Sequence, residues 1–253
     1  MPTSIPSALQ NCLLRLIPAA DMERMYRHFE WVDLDSHEVL QSSNQPIKYI
    51  YFPVSGIYSV LTLGKNGDGI ETGLIGHEGM IGAALCFDVH NAPFEVLVQV
   101  PGRSIRIADH HFLETFNTSI ETRTIILRYV YTAFVQTAQT AFANGCMTVQ
   151  QRLARWLLMC QDRLETPEFE ITHQFLARTL AVQRPMVTVS LQILEGQRAI
   201  RSTRGKVKII DRALLEDIAG SAYGVAENEY VRLLVNPQFE EQVPAGPRSA
   251  GLM

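Results

Sequence analysis

The chain has 253 residues, room for one large domain or two of ordinary size, each able to bury a core. Hydrophobic residues make up 47% and charged residues 19%, the balance of a soluble globular protein, and no apolar run is long enough to span a membrane. Four scattered cysteines, Cys12, Cys86, Cys146 and Cys160, form no C-x-x-C pair, which argues against a zinc knuckle, a disulfide framework or an iron–sulfur cluster.

The net charge of −4 conceals an asymmetry. From Met147 to Arg212 there are 11 Lys/Arg and 6 Asp/Glu, a net of +5, so the rest of the chain carries −9. Between Ile171 and Ile210 seven basic residues stand against Glu195 alone. A basic module on an acidic body is the electrostatic footprint of a nucleic-acid binder.

The start, MPTSIPSALQNCLLRLIP, lacks the basic head and long apolar core of a secretory signal, so a cytoplasmic location is expected. Residues 9–30 carry two short helical patterns broken at Pro18. From Trp31 to about Ile107, short β-like runs alternate with turn residues: IKYIYFPV, GIYSVLTL, IETGLIG, FEVLVQV and RSIRI. That texture predicts a small sandwich or barrel. From Asp109 the chain is helical in character until Gly145, and Ile120, Leu127, Phe134 and Ala141 recur every seven residues with Val130 and Tyr131 on the same side. Such a column suits a helix packed along a partner helix, a homodimer seam; the competing reading is a core helix lying on its own barrel. A further helix is expected from Thr148 to Leu164, with Leu153, Leu157, Cys160 and Leu164 on one face.

The run RPMVTVSLQIL, Arg184 to Leu194, alternates like a half-buried strand. A helix divides it better. Val187, Ser190, Leu191 and Leu194 fall on one side, and Arg184, Thr188, Gln192 and Glu195 form a polar stripe opposite. Pro185 suits the first turn of a helix. Upstream, Thr172 can cap a short helix and Ile171 can staple onto Leu176, with Ala181-Val182-Gln183 as the turn between the two. Two short helices so joined describe a helix-turn-helix, whose second helix enters the major groove of double-stranded DNA. RSTRGKVKII, turning at Arg204-Gly205, reads as a hairpin wing.

These blocks in this order resemble the Crp/Fnr superfamily of bacterial transcription regulators over about residues 9–220. YFPVSGIYSV and LIGHEGMIG match a cyclic-nucleotide-binding-like roll, and ITHQFLARTLAVQRPMVTVSLQILEGQRAI matches the helix-turn-helix. The resemblance implies an α+β fold: an N-terminal double-stranded β-helix (jelly-roll-like) sensor domain over 1–115, a long dimerisation helix over 116–146, and a winged helix-turn-helix DNA-binding domain over 147–220. A C-terminal helical segment and loose tail would fill 221–253. It also implies a homodimer without enzyme activity, acting with RNA polymerase and an unidentified small-molecule effector, with its recognition helices about 34 Å apart on a near-palindromic site. DNA contacts are then expected from Thr172, His173, Gln183, Arg184, Pro185, Thr188, Val189 and Gln192, and from Arg201, Arg204 and Lys206 in the wing.

The sequence departs from the family pattern at both ends. Many members place Glu where Pro185 stands, and a small residue and second Arg where Thr188-Val189 stands. Arg184 can still take guanine, and Thr188 and Val189 can touch a thymine methyl. In the roll, the family's cyclic-nucleotide binders carry Gly-Glu for the ribose and Arg-Ser/Thr-Ala for the phosphate. Here the best register gives Gly82-Ala83 and Ala92-Pro93-Phe94, with no cation for a buried phosphate. A shifted register, Gly76-His77-Glu78-Gly79, keeps a glutamate but no arginine. Cyclic AMP by the usual mechanism is not expected, and a pocket around Gly76, Glu78, Gly79 and Gly82 is left for another effector. No cofactor or metal is expected: the seven histidines show no His-x-His with a following carboxylate. The alternatives to a DNA-binding regulator are a ligand-binding signalling module and a metal-dependent cupin-like enzyme.

Overall fold

The computed structural model describes residues 8, 10–65, 69–164 and 166–237. The loose tail expected at the C-terminus lies, from residue 238 onward, outside them. Two short helices open the chain, α1 (Cys12–Leu16) and α2 (Ala19–Tyr26), with Pro18 at the break. Asn11 accepts from the Leu14 amide and donates to the carbonyls of Pro53 and Gly79 at 2.8 and 2.9 Å, which pins this entry to the roll.

The roll consists of β1 (Glu30–Leu34), β2 (Val39–Gln41), β3 (Tyr49–Pro53), β4 (Ile57–Leu63), β5 (Gly69–Ile75), β6 (Phe94–Val100) and β7 (Gly102–Ala108). They form two antiparallel sheets in the orders β1-β7-β3 and β2-β6-β4-β5. The sequence reading named five of the seven runs; EWVDL and VLQ were too short and mixed to stand out. Phe52, Ile105 and Ile107 on one sheet and Ile57, Tyr58 and Val98 on the other are buried. Tyr58 ties the sheets together, because its hydroxyl meets Ser104 Oγ at 2.9 Å across the core. Such pairing offsets the cost of burying both hydroxyls. Gly56 turns β3 into β4 at φ 88°, where a Cβ would also strike the Val100 carbonyl.

The helical run after the roll is two helices. α3 (Asp109–Thr118) stops at Ser119, which takes an extended φ/ψ and caps α4 (Ile120–Cys146) by accepting from the Thr122 amide. At 27 residues, α4 is about 40 Å long. Its Gln136 side chain accepts from the Leu74 amide at 2.7 Å and donates to the Leu74 carbonyl at 3.2 Å. A glutamine thereby satisfies the open edge of β5, the outer strand of its sheet.

The C-terminal unit comprises α5 (Val149–Leu164), β8 (Glu168–Glu170), α6 (His173–Thr179), α7 (Arg184–Gly196), β9 (Ile200–Thr203), β10 (Lys206–Ile209) and α8 (Arg212–Ala219). Its core gathers Leu153, Leu157, Leu176, Val187, Leu191 and Leu194. β8 is a third wing strand beside β10, unforeseen because three residues of EFE carry no period. Beyond α8 the chain turns back through Gly224 at φ 101° into α9 (Val225–Tyr230) and a π-helical turn, Val231–Val235. Leu233 and Leu234 bury themselves in the core of the roll, with Leu13, Leu14 and Ile126.

The two units share a polar seam. Trp156 on α5 donates its indole N–H to Glu71 on β5 at 2.8 Å, and Ser59 on β4 donates to the other carboxylate oxygen at 2.6 Å. Burial pushes the Glu71 carboxyl up to about 7, against the two hydrogen bonds and the nearby Arg155 and Arg163 guanidinium groups that pull it down. A second tie joins Arg163 to Glu78 at 2.8 Å, with both groups largely out of solvent.

Candidate nucleic-acid interface

Thr172 caps α6 as the sequence implied, its hydroxyl accepting from the Phe175 amide at 3.2 Å. The turn to α7 passes through Ala181 at φ 48°, and α7 starts at Arg184 with Pro185 in the first turn. Val187, Ser190, Leu191 and Leu194 are buried, and Ser190 supplies the small contact that lets the helices approach. The alternating run Arg184 to Leu194 is therefore helical. The exposed side is not the all-polar stripe expected, however. Residues 185, 189 and 192, spaced i, i+4 and i+7, lie opposite the core residues 187, 191 and 194. Pro185 and Val189 thus stand at the middle of the outward face, with Arg184 and Thr188 on one shoulder. Val189 is 53% exposed.

Arg184, Gln183 and Gln192 are exposed, which leaves them available to a ligand. Thr188 is held: its Oγ1 lies 3.0 Å from His173 Nδ1 and 3.3 Å from the Arg184 carbonyl. Glu195, the one acid between Ile171 and Ile210, accepts from the Ser202 amide at 3.1 Å, fastening α7 to β9.

In the wing, Val207 and Ile209 face inward while Lys206 and Lys208 face out, and Arg201 and Arg204 are exposed beside them. Side chains of this kind at a hairpin edge suit phosphate oxygens, which set register without reading sequence. β8 adds something the sequence hid: Glu170 and Glu168 approach Lys206 Nζ at 3.6 and 3.9 Å. The ammonium is thus partly neutralised before any DNA arrives.

The seam residues of α4 separate into two sets. Ile120, Leu127, Tyr131 and Phe134 are 79%, 38%, 49% and 67% exposed, and Ala141 is exposed with them. Val130 instead packs partly against the roll. This apolar column stands open on α4, while Ile126 and Tyr129 on the helix's other face are buried in the core of the roll, so the helix also lies on its own barrel.

The pocket expected around the glycines is differently built. A Cβ on Gly76 would strike Arg163 and one on Gly79 would strike Tyr129, so both serve close packing. Glu78 is held by Arg163. Glu78 and Gly82 do line a cleft of about 1070 Å³ between the roll, α4 and α9, whose walls include Val60, Leu74, Ile81, Phe94, Val96 and Val130. Among the described residues, Arg163 is the one arginine or lysine along it, and His77 lines it as well.

A family model for the Crp-like helix-turn-helix domain matches residues 151–218, from α5 to α8. The whole fold has parallels among solved structures. A regulator assigned to the Crp/Fnr family from Eubacterium rectale superposes with a TM-score of 0.66 at 16% identity, over 83% of this chain and 99% of that one. FixK2 from Bradyrhizobium japonicum gives 0.67 at 13%, over 76% and 98%. The c-di-GMP-responsive regulator CLP of Xanthomonas campestris gives 0.63 at 17%, over 76% and 99%. Residues 151–218 are a Crp-like helix-turn-helix domain, carried on a fold that these regulators share. No curated protein matches its sequence. The matched domain ends before Ala219, so α9 and the π-helical turn that return to the roll lie beyond it. Among the described residues no helix is long and apolar enough to cross a membrane, and no group of three or more His, Cys, Asp or Glu is placed to hold a metal ion.

Proposed function

We propose that the chain works as a homodimeric, sequence-specific transcription regulator, with α7 in the major groove and the β9–β10 wing on the backbone. The carrying observation is the presentation of α7: its apolar side is sealed in the domain core while Arg184, Thr188, Val189 and Gln192 face outward. The exposed column on α4 supports pairing of two copies through that helix. Contact with RNA polymerase belongs to the same reading. Selection from random duplexes by the full chain is expected to return a near-palindrome with half-sites one helical turn apart. Arg184→Ala is expected to level specific and random binding. A protein that enriches no sequence would refute the reading.

The cleft supports an effector that is mainly apolar. Its cations are already engaged, Arg163 by Glu78 and His77 by Cys12 and the Arg163 carbonyl, so neither is left to balance a buried phosphate. Gln41 offers one handle: its amide donates to the Phe94 carbonyl, while its Oε1 is buried at the cleft without a partner. A ligand suited to the site therefore brings a hydroxyl or amide N–H to Gln41 and apolar surface to the rest. Cyclic AMP and cyclic di-GMP are expected to leave intrinsic tryptophan fluorescence unchanged at concentrations where an apolar alcohol or amide shifts it.

A further inference from the structure

The recognition helix presents few hydrogen-bonding groups at the centre of its outward face. Pro185 has no polar side-chain atom and no amide hydrogen. Val189, one turn on, is more than half exposed and equally without donors or acceptors. Thr188 looks like the exception, but its hydroxyl is engaged from within. One proton and two lone pairs are all a threonine hydroxyl has. If His173 carries its hydrogen on Nδ1, it donates to Thr188 at 3.0 Å and the threonine proton goes to the Arg184 carbonyl at 3.3 Å. If Nδ1 is bare, the threonine proton goes there. Under either tautomer the proton stays in the protein, and Thr188 has no donor left for guanine N7 or O6 or for thymine O4. The group it offers a base edge is its methyl. Beside Val189, this makes an apolar reading head flanked by Arg184 and Gln192.

Thymine alone among the four bases presents a methyl group in the major groove. We propose that this helix selects thymine by its 5-methyl group, through the Thr188 methyl and Val189. His173 is the positioning residue that keeps the Thr188 hydroxyl engaged inward. The proposal rests on the reading of the chain as a sequence-specific DNA binder and names what that binder reads.

The test uses the full chain and the duplex it selects. Each thymine of the half-site is replaced by deoxyuridine, which removes the methyl and keeps every hydrogen-bonding group. Two adjacent positions are expected to lose about fourfold in affinity each, the worth of one buried methyl. Thr188→Val is expected to keep the discrimination between thymine and uracil, Thr188→Ser to abolish it at one position only, and Val189→Ala to abolish it at the other. His173→Ala is expected to weaken discrimination at the Thr188 position alone, and His173→Asn, which restores a polar atom near the place of Nδ1, to recover it. Circular dichroism confirms that each variant is folded. Equal affinity for thymine and uracil sites, or loss of discrimination in Thr188→Val, would overturn the proposal while leaving sequence-specific binding intact. Failure to select any sequence would overturn both.

Discussion

Glu71 turns the seam between roll and DNA-binding domain into a pH-dependent element of stability. Its carboxyl sits at about 7 in the folded chain against an ordinary 4.5, because burial outweighs the bonds from Ser59 and Trp156. The folded state therefore holds this proton more tightly than the unfolded state does. Below about pH 4.5 both states are protonated and the group costs nothing. Between 4.5 and 7 the unfolded chain ionises first and stability falls; above 7 the full penalty is present. A shift of this size corresponds to about 3 kcal/mol at pH 8 and less than about 1 kcal/mol at pH 5. Glu71→Gln removes the ionisation and keeps the geometry: the amide oxygen accepts from Trp156, and the amide nitrogen donates to Ser59. The gap between variant and wild-type stability should thus widen by about 2 kcal/mol, in favour of the variant, between pH 5 and pH 8. Urea unfolding followed by tryptophan fluorescence reads it, since Trp156 lies at the bond in question. A gap of equal size at both pH values would show that Glu71 does not titrate in this window, and the argument from burial would fail.

Other perturbations test the remaining ties. Glu78→Ala takes from the buried Arg163 its ion-pair partner and leaves only the more distant Glu227 and Asp162, which should cost up to about 3–5 kcal/mol, and Glu78→Leu with Arg163→Met should recover most of it in the same urea assay. Leu233→Ala removes a side chain that is 5% exposed in the roll's core and should cost about 2–5 kcal/mol, a loss seen as a lowered melting temperature. Lys206→Ala should weaken specific and random DNA alike and lower the slope of log K against log salt by about 0.9 or less, because Glu168 and Glu170 already share the charge. Phe134→Asp, in the middle of the exposed column, should yield monomers in sedimentation, and an unchanged dimer would place the seam elsewhere.

The parts of the fold that were legible in the sequence are those where local chemistry and burial agree. Thr172 as cap, Pro185 in a first turn, and Val187, Leu191 and Leu194 at helical spacing all belong to one short stretch, and each confirms the others. The wing followed from alternation around Arg204-Gly205. What escaped depends on distant partners. Nothing near Glu71 indicates that it meets Trp156, 85 residues on, and nothing near Tyr230 that its hydroxyl reaches the Glu78 carbonyl. The all-polar stripe on α7 was a matter of angle: Pro185 and Val189 stand nearer the point opposite Val187, Leu191 and Leu194 than Arg184 and Thr188 do. Glycines 76 and 79 are ambiguous for a related reason. A Gly-rich loop can serve a ligand's approach or a helix's, and here Arg163 and Tyr129 fill the space.

The return of the chain after α8 changes what kind of object the DNA-binding domain is. Leu13 and Leu14 near the beginning and Leu233 and Leu234 near the end share one core, so the stretch from α5 to α8, besides the seam that α5 makes with β4 and β5, has the chain on both sides of it anchored in the roll. A domain attached by one hinge swings on a single pivot. One held at two points has fewer directions in which to swing, and a search over fewer orientations loses less entropy when it settles on a ligand. Tyr223 sits at the second anchor, donating to Asp162 on α5 at 2.6 Å while Arg212 donates to it at 2.7 Å. A cut in the wing at Arg204-Gly205 would accordingly leave both fragments fastened to the same body.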